Sequence, residues 1–240
     1  MQQSEQELRA LICRIGHSMY QKGYIDGTSG NISARLDTNR VLTTPSGLAK
    51  GFMQPEQLII VNLDGERVDT PTIANADLRP TSEMYMHLEC YRQRADVNGV
   101  VHAHPQSAVA LTLVGYDFEQ CIIPEMILIL GLIPTAPYST PSSTENRDAI
   151  TELIKQNDAI MLAHHGSLTV ADSVWNAYLK LESLEHGATI LHRAEQLGGA
   201  KTIPPEQVEK LLDQREKLGL MHTEDRERFA KVLNTSPQNT

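Results

Sequence analysis

Basic charge is scarce in this chain of 240 residues: 21 Lys and Arg stand against 30 Asp and Glu, for a formal net charge of −9. That argues against broad nucleic-acid binding, which relies on Lys and Arg to neutralise phosphates. The bulk field would not attract an anionic ligand either, so any phosphate has to be held by local donors. Cysteine is nearly absent. Cys13, Cys90 and Cys121 lie far apart without a Cys-x-x-Cys motif, so they read as reduced core thiols. No apolar run approaches the roughly 18–20 residues of a membrane span. The opening MQQSEQELRA is polar and acidic, without the basic start and apolar stretch of a signal peptide. The expected location is therefore cytoplasmic, with no membrane partner. There is no internal repeat, low-complexity linker or composition shift, so residues 1–232 are expected to form a single domain. The tail 233–240 (LNTSPQNT) is expected to be disordered.

What is present is ordinary for a globular protein: 40% hydrophobic and 21% charged residues. Ser4-Glu5-Gln6-Glu7 reads as a capping box, with Leu8, Leu11, Ile12, Ile15 and Met19 following at helical spacing as far as Gly23. Strands are predicted at 32–36, 41–44 and 58–63, and Asp64-Gly65 is a hairpin signal. Helix 82–95, strand 100–104 and a short helix from Pro105 to about Val114 come next. Helix 145–156, strand 159–163, a long helix 173–197 and a last helix from Pro204-Pro205 to about Leu220 complete the reading. Helices and short strands alternate throughout, which is an α/β class.

Five segments carry chemistry. In His102-Ala103-His104, residues two apart on a strand face the same way, about 6.5–7 Å apart at the usual rise. Two imidazoles at that spacing can converge on one metal ion. Ala163-His164-His165-Gly166 ends a predicted strand, where sites in α/β sheets are built. Either histidine could add a third ligand, and three protein ligands with an open position is a catalytic metal arrangement. In Pro80-Thr81-Ser82-Glu83, Ser82 is a plausible N-cap, placing Glu83 in a first helical turn where the dipole favours a carboxylate. Free N–H groups at that terminus can also cradle an anion. Gly27-Thr28-Ser29-Gly30-Asn31 and Thr43-Thr44-Pro45-Ser46-Gly47 are rich in small residues whose N–H and hydroxyl groups can surround a phosphate. Neither fits the Walker or dinucleotide fingerprints. His17, His87, His186, His192 and His222 show no partner pattern.

In this order, GTSGN, TPSG, TSE, HAHP and AHHG resemble the class II aldolase and adducin family, over about Ser4 to Arg193. The resemblance implies a three-layer α/β/α sandwich with a mainly antiparallel central sheet, and a homotetramer with active sites at subunit interfaces. It implies His102, His104 and His165 as metal ligands, His165 being the histidine directly before glycine. It implies Glu83 as the catalytic acid–base group, and Gly30, Asn31, Ser46, Gly47, Thr81 and Ser82 as the phosphate-binding positions. The implied metal is Zn²⁺; imidazole ligands also suit Mn²⁺ or Co²⁺. The implied reaction is reversible cleavage of a ketose 1-phosphate to dihydroxyacetone phosphate and an aldehyde, within carbohydrate metabolism. It needs no Schiff-base lysine, and Lys50, beside the phosphate loop, is the one lysine near the motifs.

Two departures bear on the substrate. The fuculose aldolases and the epimerases of the family use a tyrosine near the C-terminus, whereas Tyr178 is the last tyrosine here. Pro124-Glu125-Met126 resembles the Gln-Glu-Met of the methylthioribulose-phosphate dehydratases, whose glutamate is the acid–base group. Glu125 is thus a second candidate catalytic residue. It supports an alternative reading as a dehydratase, or as a decarboxylase of a sugar-acid phosphate. A third reading follows the adducin head, which keeps the fold as an interaction module. Its hallmark would be lost metal ligands, and all three histidines are present.

Overall fold

The computed structural model describes residues 3–235. Its first element follows from the opening capping box. The Ser4 hydroxyl accepts from the Glu7 amide at 3.3 Å, the Ser4 amide donates to Glu7 Oε2 at 2.7 Å, and helix α1 (Glu5–Gln21) begins there. Its Leu8, Leu11, Ile12, Ile15 and Met19 form one buried face. Strands β1 (Asn31–Arg35) and β2 (Arg40–Thr43) are joined by a turn in which Asp37 Oδ1 accepts from the Asn39 and Arg40 amides, both at 2.9 Å. Then come β3 (Ile59–Asn62), α2 (Met84–Gln93), β4 (Gly99–Ala103), α3 (Gln106–Leu113), a π-helical turn over Met126–Leu130, and β5 (Thr135–Ala136). The chain continues through α4 (Thr144–Ile150), β6 (Ala159–Leu162), β7 (Gly166–Ala171), α5 (Val174–Gln196), α6 (Pro205–Lys217) and α7 (Asp225–Thr235).

Among the described residues seven strands form one mixed sheet in the order β3-β2-β1-β4-β7-β6-β5. Neighbours run antiparallel except β5 and β6, which are parallel. Side-chain alternation divides the sheet between two cores. Ile32, Ala34, Leu42, Val101 and Ala103 meet α1 and α5 on one face. Val41, Val61, Val100, Ile160 and Leu168 meet α2 and Ile150 of α4 on the other. Strands buried on both faces read as continuous apolar runs, and β6 (AIML) does so. No described helix is long and apolar enough to cross a membrane.

The structure departs from the sequence reading at several places. β7 is a strand the sequence does not announce, because Gly166 and Ser167 look like a pattern break; both are buried against β4 and β6. The expected helix 145–156 ends at Ile150 and resumes as a single 3₁₀ turn, Leu153–Lys155. Order continues past residue 232, since α7 runs to Thr235. It is anchored by Phe229, fully buried with Val208 and Leu212 of α6. The rest of the expected tail, 236–240, lies outside the described residues.

Candidate metal centre and anion-binding cavity

The centre of the sheet sets the positions of the site. Asn31 opens β1 and lies opposite His102 on β4. His104 follows one residue beyond the strand end, but its amide still donates to the Tyr24 carbonyl at 2.9 Å, so the period-two geometry holds and both rings face one way. His165 comes from the tight turn between β6 and β7, where His164 takes the left-handed conformation at φ 60. The ring centroids of His102, His104 and His165 lie 4.8–5.0 Å apart. One nitrogen from each falls within 4.8 Å of the others. His164 is exposed and outside this group.

Glycine makes this convergence possible. A Cβ on Gly166 would lie 2.4 Å from the Ala103 carbonyl oxygen, 2.8 Å from His104 Cδ2 and 3.0 Å from His102 Cε1. Gly30, at φ +70, passes equally close: a Cβ there would meet Ile25 Cγ2 at 2.4 Å and the His102 carbonyl at 3.1 Å.

The donor set fits a divalent cation. His102 Nδ1–H donates to the Ser167 carbonyl at 2.9 Å, which fixes the ring and aims Nε2 at the cluster. That Nε2 lies 3.1 Å from His104 Nε2 and 2.9 Å from Glu83 Oε2, so a proton there occupies the place a cation would take. Burial, reinforced by the neighbouring rings, lowers His104 to about 3 and His165 to about 4, so both present lone pairs at neutral pH. Burial alone would also lower His102, but the Glu83 carboxylate raises it. His165 Nδ1 is buried without a hydrogen-bond partner, so this ring keeps bonding capacity the fold leaves unused.

Glu83 is not in the first helical turn as expected. It is the N-cap residue of α2, with φ −98 and no side-chain capping bond, and its carboxylate turns inward. Oε1 lies 3.4 Å from His165 Nε2 and accepts from Asn146 Nδ2 at 3.2 Å; Oε2 accepts from Asn31 Nδ2 at 3.0 Å. Burial favours its neutral form. The His102 charge and hydrogen bond, the Asn31 amide and His165 outweigh that and hold Glu83 well below the usual carboxylate range. Ser82, the expected N-cap, is exposed instead, and its Oγ accepts from Ser142 Oγ at 2.9 Å.

A cavity of about 290 Å³ opens over this cluster and is lined by Gly30, Asn31, Ser46, Gly47, Thr81 and Ser82, with Glu83, His104 and His165. An isolated bridge between Pro45 and Pro80 joins the two distant loops, reinforced by Ser46 N donating to Arg79 O (2.9 Å) and Thr81 N to Thr44 O (3.2 Å). The same cavity takes in Lys50 and Ser142, which carry no pattern in the sequence. Lys50 is 2% exposed. Its Nζ donates to the Thr28 carbonyl at 2.7 Å, and burial lowers its pKa to about 8. Glu125 is exposed and precedes the π turn; it does not line the cavity.

Comparison with known proteins places the chain in a family. Residues 10–192 match the family described as Class II Aldolase and Adducin N-terminal domain. The chain is similar to 5-deoxy-D-ribulose 1-phosphate aldolase of Bacillus thuringiensis, 32% identical over 89% of this chain and 98% of that protein. It is also similar to 3-oxo-tetronate 4-phosphate decarboxylase of Escherichia coli K12, 32% identical over 78% of this chain and 87% of that one. Among solved structures, an L-fuculose 1-phosphate aldolase superposes with a TM-score of 0.77 at 26% identity, covering 91% of this chain and 98% of the other. By its sequence the chain belongs to the class II aldolase and adducin family.

Proposed function

We propose that this chain is a zinc-dependent aldolase that reversibly cleaves a ketose 1-phosphate to dihydroxyacetone phosphate and an aldehyde. One observation carries the reading: the Glu83 carboxylate reaches both His102 and His165 inside the cavity that gathers the hydroxyl- and glycine-rich loops. His102, His104 and His165 would hold the cation, which when bound supplies Lewis-acid stabilisation of charge developing at the substrate carbonyl. Glu83 moves the proton at the carbon beside that carbonyl. In the synthetic direction the ionised carboxylate removes it, and in cleavage the protonated acid returns it. The Asn146 and Asn31 amides hold the carboxylate at that position. Glu125 does not reach the cluster within the chain, which favours the aldolase over the dehydratase reading.

Lys50 supports a phosphorylated substrate. It is a buried ammonium with no carboxylate within 4 Å among the described residues, and such a charge is costly unless an anion partners it. Lys50→Met should raise KM for a phosphorylated ketose by roughly 10- to 100-fold, as expected for a hydrogen bond to a charged group, with kcat little changed. The unphosphorylated ketose should show no such change. In the wild type KM should climb as the pH passes about 8, where the ammonium loses its proton. A flat KM profile and an unaffected variant would remove Lys50 from the anion site.

A second reading, a sugar-acid phosphate decarboxylase, draws on the decarboxylase relative at the same identity. Loss of carbon dioxide beside a carbonyl leaves the same kind of enolate, which the same residues would serve. The deciding experiment offers the zinc-loaded protein 5-deoxy-D-ribulose 1-phosphate and related ketose 1-phosphates, and separately 3-oxo-tetronate 4-phosphate. Release of dihydroxyacetone phosphate supports the aldolase. Carbon dioxide from the second compound alone transfers the function to the decarboxylase, and turnover of neither rejects both. The assembly that goes with this reading is a cytoplasmic homotetramer with the cavity at a subunit boundary. The exposed Leu113, Val114 and Tyr138 support such a boundary, Tyr138 packing edge-on to His164 beside the site.

A further inference from the structure

Behind Glu83 runs a buried line of hydrogen bonds that the proposed reaction does not use directly. Tyr91 OH lies 2.8 Å from Ser33 Oγ, Ser33 Oγ lies 2.7 Å from His87 Nδ1, and His87 Nε2 lies 2.5 Å from Asn31 Oδ1. Asn31 Nδ2 then donates to Glu83 Oε2 at 3.0 Å. Ser33 and His87 are fully buried, and Tyr91 is 2% exposed. Two regular spacings create the line. Asn31 and Ser33 are two apart on β1 and share a face, while His87 and Tyr91 are four apart on α2 and share a face. Helix α2 also carries Glu83 at its N-cap, so one strand and one helix fix both ends.

With His87 neutral, the direction of every bond in this line follows from the donors and acceptors available. Asn31 turns its Nδ2 toward Glu83 and its Oδ1 toward His87. His87 Nε2 must then carry a proton. The ring is fully buried with Asn31 and Ser33 on its two nitrogens, a setting that favours the neutral form, and Nδ1 is then an acceptor. Ser33 therefore donates to Nδ1 and accepts from Tyr91. The donors all point toward Glu83, and each polarises the next.

We propose that His87 is a positioning residue: held in its Nε2–H tautomer by Ser33 and Tyr91, it locks the Asn31 amide so that Nδ2 faces Glu83. Without that bond the Asn31 carbonyl loses its partner, and the amide is free to swing away from the carboxylate. Glu83 would then lose its alignment over the histidine cluster. The engaged Asn31 amide also keeps only its second Nδ2 hydrogen for an anion in the cavity. The proposal rests on the aldolase reading for its consequence, not for its geometry.

Two measurements test it. In ¹⁵N-resolved histidine spectra of the whole protein, His87 should show a protonated Nε2 and a bare Nδ1; the opposite tautomer, or a charged ring, overturns the proposal whatever the enzyme does. In the aldolase assay with 5-deoxy-D-ribulose 1-phosphate, His87→Leu should lower kcat by roughly 10- to 100-fold, the usual cost of removing a partner that orients a metal-site residue. Zinc content should stay within about two-fold, since no metal ligand is removed, and any rise in KM should not exceed that of Asn31→Ala, whose amide is the one substrate contact that His87 holds. His87→Gln, whose amide can donate to Asn31 Oδ1, should recover most of the loss. In an Asn31→Ala background His87→Leu should have no further effect, because the two act as one unit. Should His87→Leu not fold, Ser33→Ala interrogates the same link. Additive losses, or no rescue by glutamine, overturn the positioning role. If Glu83→Gln retains full activity while the tautomer is as stated, the aldolase mechanism fails and the hydrogen-bonded line stands.

Discussion

Glu83→Gln is expected to lower kcat by roughly 10²- to 10⁴-fold, the span that general acid–base groups contribute. The change is isosteric. Glutamine keeps one oxygen to accept from Asn31 or Asn146, so the cavity and the loops around it keep their shape. What disappears is the charge that faces His102 and His165 and the capacity to take a proton from carbon. Because Glu83 is held well below the usual carboxylate range, the wild-type group is fully ionised at neutral pH, the form that removes a proton in the synthetic direction. The loss should therefore be at least as large for aldol synthesis as for cleavage. Zinc content is expected to stay near the wild-type value, since three imidazoles remain. A variant whose synthesis and cleavage rates match the wild type would remove Glu83 from the chemistry and return attention to Glu125.

His102 and His104 are legible in the sequence because their geometry is local: period-two spacing next to an apolar run is enough to place two rings on one face. Glu83 is legible as a residue but not as a position. Propensity puts it at a helix start, and only the packing of α2 against β1, with Asn31 and Asn146 as partners, turns its carboxylate inward rather than toward the helix dipole. β7 escapes detection because Gly166 serves close approach to His102 and His104, and glycine reads as a break unless the neighbouring strand is known. Lys50 and His87 lie further from reach. The Asn-x-Ser and His-x-x-x-Tyr spacings are visible, yet nothing in one sequence says that these two faces meet. Lys50 stands beside one phosphate-loop candidate in the sequence, but only the fold, which brings its Nζ onto the Thr28 carbonyl, sets it in the cavity shared by the loops.

His165→Ala should strip the protein of zinc while its neighbour His164 proves dispensable. Adjacent in sequence, the two occupy different worlds. His165 is within reach of Glu83 and has its ring 4.8 Å from that of His102; His164 is exposed, in the left-handed region, and edge-on to Tyr138. Removing one of three imidazoles leaves too few protein ligands for a tight catalytic site. Zinc affinity should fall by more than the roughly 100-fold upper cost of losing an outer-shell partner. The matching control is His164→Asn, because asparagine tolerates the positive φ that alanine would resist. It should keep zinc and activity within a few-fold. Metal analysis after dialysis against a weak chelator, alongside retro-aldol rate, reads both variants. Zinc retained at full stoichiometry with unchanged rate in His165→Ala would dissolve the three-histidine site. Zinc lost from His164→Asn instead would mean that the turn between β6 and β7 presents the other ring to the cation.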